Sequence, residues 1–279
     1  MKNLRIIFIL LISLSLFQSC TKEDIAEDTQ RVAPELPAPE SFVMSFEGYE
    51  QADTTNLPQT NTGGNLNPTY RNWFYSATNV VVWNVVLTVN LVVPVASFYE
   101  AFKHQAVFQG DGVWLWSYNF TDDFGQTFRA RLFGEIVSND AIQWDMYISK
   151  VGGFTDVHWY SGLTSENGNK ANWTLNHQPN NPETFLQIDY EKNSTGLEAI
   201  RYTNIIPNNV NNGDFIEHRK RNGAAENFDR AYDIFKMEKD NLLEINWDAT
   251  NKNGRVKDAM KFGDEEWHCW NQFLQDTDC

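Results

Sequence analysis

Hydrophobic residues are most concentrated between Asn79 and Phe102, a stretch with no glycine and no charged side chain before Glu100. The odd positions from 81 to 95 are all apolar, which is the alternation of a strand. No turn signal precedes Pro94, however, and a strand of this length is rare, whereas a helix of about 20 residues is ordinary. We therefore expect a helix that is buried on all sides, because its polar residues form no single stripe, and that is kinked or restarted at Pro94. A strand and a membrane-spanning segment remain the alternatives.

From Ala106 onward, apolar and polar residues alternate in short runs that are separated by turn sequences at intervals of roughly 12 residues. The run from Val113, for example, places Trp114, Trp116, Tyr118 and Phe120 on one face. We count about nine or ten such runs, and their turns are too short for parallel crossovers, so the strands are antiparallel. An earlier run, Ser41 to Phe46, also alternates and predicts a first strand.

A sheet this wide must coil, split or close, and its apolar face needs a cover. We expect a mainly β fold in which a wide antiparallel meander, either a curved open sheet or an incomplete barrel, packs around one long apolar helix. Nothing between residues 41 and 279 resembles a linker, so this range is predicted to be a single β-rich domain.

The N-terminus has the features of a secretory signal. Lys2 and Arg5 precede an apolar segment that extends to Phe17, and the small residue Ser19 is followed by Cys20. This arrangement resembles the lipobox of Bacteroidota-type exported lipoproteins, which implies a signal peptide at 1–19 and a lipid on the Cys20 thiol. The proline-containing segment 20–40 is then a lipidated tether. The alternative is an ordinary signal peptide with an incidental cysteine.

Two further segments extend the resemblance. The acidic residues after Cys20 resemble the signal that routes such lipoproteins to the outside of the outer membrane, although a solvated acidic tether has the same composition. The mature chain is similar to uncharacterised lipoproteins of that group with WNxxLTVxLxVP and FGDxEWHCW segments, here at 83–94 and 262–270. The resemblance implies an outer-membrane, lipid-anchored protein on the cell surface or the periplasmic face, and it supplies no activity.

Charge and cysteine content narrow the possible partners. The chain carries 22 basic and 37 acidic residues, a net charge of −15, which disfavours nucleic acid and anionic lipid headgroups. The membrane is therefore expected as a partner only through the lipid anchor. If Cys20 is lipidated, Cys269 and Cys279 remain, and in an oxidising compartment they are expected to form a disulfide worth roughly 2–3 kcal/mol. A metal site on these two thiols is the alternative, but CxxC spacing is absent.

A search for catalytic motifs predicts no catalytic residue, no metal and no cofactor. None of the five histidines lies in an HExxH motif, and no GxSxG or phosphate-binding loop occurs. The acidic cluster from Asp264 to His268 is predicted to be a turn held by the disulfide, with a divalent cation site as the alternative. The basic run from His218 to Arg221 is predicted to be a solvated loop, with a site for an anionic group or an acidic partner as the alternative.

Tryptophans remain as the candidate ligand-binding residues, although the same side chains suit a filled core. Those assigned to ligand binding are Trp114, Trp116, Trp144, Trp159 and Trp173. The leading hypothesis is a non-enzymatic, lipid-anchored binding or structural lipoprotein that holds a hydrophobic or amphipathic ligand. The alternatives are a carbohydrate-binding accessory lipoprotein and a glycan or lipid hydrolase.

Overall fold

The computed structural model describes residues 32–46, 49, 69–122, 124–177, 179–180, 182–220 and 228–279. Pro34–Cys279 forms one compact unit. The predicted signal peptide, the predicted lipidation site Cys20 and the tether as far as residue 31 lie outside the described residues. The last part of the predicted tether, from Pro34, belongs to the compact unit.

Fourteen antiparallel strands form one open sheet within the described residues, and each pairs with its neighbours in chain order. The strands are β1 (Val107–Gly110), β2 (Val113–Thr121), β3 (Thr127–Ser138), β4 (Ala141–Lys150), β5 (Val157–Ser165), β6 (Lys170–His177), β7 (Glu183–Lys192), β8 (Glu198–Asn204), β9 (Phe215–Lys220), β10 (Arg230–Lys236), β11 (Asn241–Trp247), β12 (Gly254–Lys257), β13 (His268–Trp270) and β14 (Asp276–Thr277). The helices are α1 (Arg71–Ala101) and the short α2 (Ala259–Phe262), with 3-10 turns at Pro39–Ser41 and Met237–Lys239. The predicted fold class, a wide antiparallel meander with one long apolar helix, is confirmed.

Large and small residues alternate across the core face of the sheet. Gly162 pairs with Trp144 on one side and with Trp173 on the other, and neither indole has any exposed surface. A methyl group added at Gly162 would overlap the Trp173 ring. The glycine therefore provides the space in which the largest side chains of this sheet are packed.

Helix α1 forms where a helix was predicted, but it begins at Arg71 and continues through Pro94 without a restart. It contacts β2 near one edge of the sheet and β12, β13 and β14 at the other. The expectation that it is buried on all sides is wrong, because only one face meets the sheet. Its buried residues are Ser76, Ala77, Val80, Leu87, Leu91, Pro94, Ser97, Phe98 and Ala101.

Polar contacts fasten both ends of α1 to the sheet. The Asp276 carboxylate in β14 accepts hydrogen bonds from the backbone N–H groups of Arg71 (3.2 Å) and Asn72 (3.0 Å), and so satisfies donors that a helix start leaves free. Near the other end, the Tyr118 hydroxyl in β2 donates to the Ser97 carbonyl at 2.6 Å. The helix therefore bridges the two edges of the open sheet.

The C-terminal residues contribute to this attachment through the disulfide. The predicted bond between Cys269 and Cys279 is confirmed, and it ties the end of the chain to β13. The Cys269 carbonyl accepts a hydrogen bond from the Asn72 side chain at 2.9 Å. The disulfide thus holds together the hairpin on which α1 begins.

The predicted first strand, Ser41–Phe46, is not a strand. It follows the 3-10 turn at Pro39–Ser41 as an extended segment that crosses the core face and pairs with no strand in the described part of the chain. We call Ser41–Phe46 the strap. Its alternating pattern reflects side chains that point into the core, not membership of the sheet.

The prediction that the basic run from His218 to Arg221 forms a loop is wrong for its described residues. His218, Arg219 and Lys220 belong to β9, while Arg221 lies outside the described residues. Arg219 lies between two acids on the solvent side of the sheet, 2.7 Å from Glu217 and 2.6 Å from Asp233. Pairing with acids on the same and the adjacent strand explains why consecutive basic residues are accommodated in a strand.

We predict that Gly162→Ala lowers the free energy of unfolding by about 1–3 kcal/mol, because the added methyl group must displace the Trp173 indole. The matched control is Gly153→Ala, whose nearest neighbour is the flexible Lys150 side chain at 3.2 Å. Urea unfolding followed by tryptophan fluorescence measures both variants. Equal stability of the two would contradict the packing described for Trp173.

Candidate functional site

The strap is anchored to the core face by aromatic side chains at intervals along its length. The Phe42 ring stacks on Phe98 of α1, with ring centroids 4.7 Å apart, and meets the edge of Trp173 at 5.2 Å. Farther along, Phe46 lies parallel to Tyr232 at 6.5 Å. The strap therefore lies between the sheet and α1 at its start and reaches β10 at its end.

Aromatic side chains from three strands form hydrogen bonds with backbone groups of the strap. The Trp173 indole N–H donates to the Ser41 carbonyl at 3.0 Å, and the Tyr232 hydroxyl donates to the Ser45 carbonyl at 2.8 Å. The Tyr202 hydroxyl donates to the Phe42 carbonyl at 2.8 Å and accepts from the Met44 N–H at 2.7 Å. These bonds replace the ladder that a strand would supply, so a buried backbone without a strand partner is tolerated.

Titratable groups around the strap are held uncharged by burial. Burial raises the pKa of the Tyr202 hydroxyl, which therefore stays protonated and able to donate. Burial, followed by the positive charges of Arg230, Lys220 and Arg219, lowers the pKa of His218 to about 3. Because of this low pKa, the His218 imidazole is neutral at pH 7. Its ring lies beside the end of the strap, 4.7 Å from the Tyr232 ring.

A groove of about 390 Å³ lies between the strap and α1. Its volume is within the range of roughly 300–1,000 Å³ that is common for small-molecule sites. The residues that line it are Val43, Met44 and Phe46 of the strap, Asn84, Leu87, Thr88, Leu91, Val92, Val95 and Ala96 of α1, and Tyr202 of β8. None of these side chains is charged, and Asn84, Thr88 and Tyr202 supply the polar groups.

The polar pair in the groove lies on one turn of α1. The Thr88 hydroxyl donates to the Asn84 side-chain carbonyl at 3.2 Å, which leaves the Asn84 amide N–H₂ free of any hydrogen bond among the described residues. An aliphatic lining with a few convergent polar groups is the composition expected of a site for an amphipathic ligand.

The five tryptophans assigned to ligand binding do not line this groove. Trp114, Trp116, Trp144 and Trp173 are buried in the core. Trp159 is half-buried at a β-bulge, where it packs on Phe154 with ring centroids 5.3 Å apart. Their assignment as ligand-binding residues stays a prediction, and the groove that the structure shows is built from other residues.

Sequence reasoning missed the groove residues although it noted both segments that form them. The apolar helix and the alternating strap were each recognised, but their contact depends on tertiary structure. The usable signal was Asn84 and Thr88, two polar residues one helical turn apart in an otherwise apolar stretch. Such a pair marks the side of the helix that faces both apolar and polar groups.

Two histidines elsewhere each pair with one acid. His268, at the start of β13, lies 3.0 Å from Asp264 of the preceding turn and stacks on Phe262. His158 lies 2.9 Å from Asp145 on the solvent face of the sheet. In the described part of the chain, no group of three or more His, Cys, Asp or Glu side chains is arranged to hold a metal ion.

Comparison with protein-family models, with curated proteins and with solved structures found no match to this chain.

We predict that Tyr202→Phe destabilises the protein, because it leaves the Phe42 carbonyl and the Met44 N–H without partners, each at a cost of about 1–3 kcal/mol. Tyr190→Phe on the adjacent β7 is the matched control, since the Tyr190 hydroxyl makes no hydrogen bond within the described residues. Denaturant unfolding measures the difference. If both variants lose equal stability, the strap does not depend on the Tyr202 hydroxyl.

Proposed function

We propose that this protein is a non-enzymatic lipoprotein, anchored to the outer membrane through Cys20, that binds one hydrophobic or amphipathic ligand in the groove between the strap and α1. The observation that carries the proposal is the groove itself, which is open, mostly apolar and, among the described residues, lined by no charged side chain. An alkyl chain gains about 0.8 kcal/mol for each methylene group that it buries there.

The polar lining suggests the kind of ligand. Asn84 offers a free amide donor, and Thr88 offers a hydroxyl on the same helical turn. Because no described residue that lines the groove is a cation able to neutralise a carboxylate or phosphate, a ligand whose chain enters the groove would present a neutral polar head here. Monoacylglycerols and fatty alcohols have this chemistry.

The attachment to the membrane is supported by the sequence. A basic start, an apolar segment and a cysteine preceded by Ser19 together resemble the lipobox pattern, and the net charge of −15 makes electrostatic attachment to anionic lipids unfavourable. An acyl anchor does not depend on charge, so it suits an acidic domain.

We expect Ala96→Phe to weaken binding of a pyrene-labelled monoacylglycerol by at least about 10-fold, because the added ring occupies space in the groove. The control is Val151→Phe, at an exposed position after β4 that does not line the groove. Fluorescence titration measures both. The groove is not the ligand site if Ala96→Phe binds like the wild type, or if Val151→Phe weakens binding equally.

The anchor is tested separately. Cells that express the full chain and are fed radiolabelled palmitate should incorporate label into the protein, and Cys20→Ala should abolish it because no other thiol is available at the signal junction. Protease treatment of intact cells then decides between the cell surface and the periplasmic face. Equal labelling of Cys20→Ala would show that Cys20 is not the lipidation site.

A further inference from the structure

Helix α1 carries an apolar face that nothing in the described part of the chain covers. Val82, Val85, Val86 and Val89 are 57, 57, 50 and 73% exposed. Their spacing of three and four residues places them on one side of the helix, away from the face that packs on the sheet. Four valines exposed within about two turns of one helix form a contiguous apolar patch.

The helix that carries this face has no charged side chain over most of its length. No charged residue occurs between Arg71 and Glu100. The mean hydropathy of α1 reaches 2.0 over an 18-residue window, so by length and composition the helix could cross a membrane. Both of its ends are fastened to the sheet, however, through Asp276 at the start and Tyr118 near the end. A helix held in this way can present one side to a bilayer but cannot span it without losing those contacts.

The chain leading into the domain also restricts where this face can be. If Cys20 is lipidated, about 13 residues separate it from the compact unit that begins at Pro34, and such a segment spans at most roughly 45 Å. The domain would therefore remain close to the bilayer surface, where even a modest apolar patch is repeatedly presented to lipid.

We propose that the valine face of α1, formed by Val82, Val85, Val86 and Val89, docks on the surface of a neutral bilayer and lies flat in its interfacial region. This proposal rests on the membrane attachment in the proposed function, but it does not require a ligand in the groove. An uncharged, aliphatic helix face is suited to contact with uncharged hydrocarbon. The acidic character of the chain disfavours anionic headgroups, so the bilayer is a neutral one.

Docking in this way has a consequence for the groove. Asn84 and Thr88 line the groove, and Val85 and Val89 follow them directly in the chain. Contact between the valine face and the bilayer therefore places lipid beside the groove, so that an acyl chain passes between them without crossing much water.

The test uses the lipidated full chain with one added cysteine. Cys269 and Cys279 are joined in the disulfide and the Cys20 thiol would carry the lipid, so a new cysteine is the one thiol free for labelling. Val86→Cys reports on the valine face, and Val89→Cys repeats the measurement at the most exposed valine. Val151→Cys, at a similarly exposed position after β4, is the control. Each variant is labelled with an environment-sensitive fluorophore and reconstituted into phosphatidylcholine vesicles.

We expect the labels at positions 86 and 89 to shift to shorter emission wavelength and to be quenched by nitroxides on the lipid acyl chains, while the label at 151 does neither. Labels at 86 and 89 that behave like the label at 151, on protein that floats with vesicles, overturn the docking and leave the anchor intact. A blue shift without quenching by lipid nitroxides shows that protein, either a second copy or another part of this chain, covers the face, and this also overturns the proposal. Failure to float contradicts the membrane attachment itself, and the docking with it.

Discussion

The structure depends on how the buried backbone of the strap is satisfied. Ser41–Phe46 crosses an apolar sheet face and pairs with no strand among the described residues, so its carbonyl groups would be costly to bury if the sheet did not supply donors. Trp173, Tyr202 and Tyr232 supply them from strands β6, β8 and β10. These side chains hold the strap in a single position, and the strap in turn defines one wall of the groove.

Helix α1 forms the other wall because it is held at its ends and not along its middle. Asp276 and the disulfide-linked hairpin fix its beginning, and Tyr118 fixes its last turns. Between these attachments, one side of the helix lines the groove, and the adjoining side is covered by none of the described residues. The same arrangement therefore produces both the apolar groove and the exposed valine face, and it places them next to each other.

Local sequence patterns predicted the elements whose environment is local. Alternation around Trp144 and Trp173 predicted strands correctly, because one face of each strand is buried along its whole length. The strap was misread since alternation does not reveal whether neighbouring backbone groups form a ladder. His218–Lys220 was misread since charges that pair across strands look like a solvated loop until the partners are known. The valine face could not be predicted, because a helix that is apolar all round gives no sign of which side is covered.

The central claim is that the groove between the strap and α1 holds a hydrophobic chain in the native protein. Native mass spectrometry of the protein extracted gently from its own membrane tests this most directly, because it separates a non-covalent ligand from the covalent lipid on Cys20. The account predicts one additional lipid mass that dissociates on activation and is absent from Ala96→Phe. A protein that carries only covalent lipid, with or without that substitution, would contradict it.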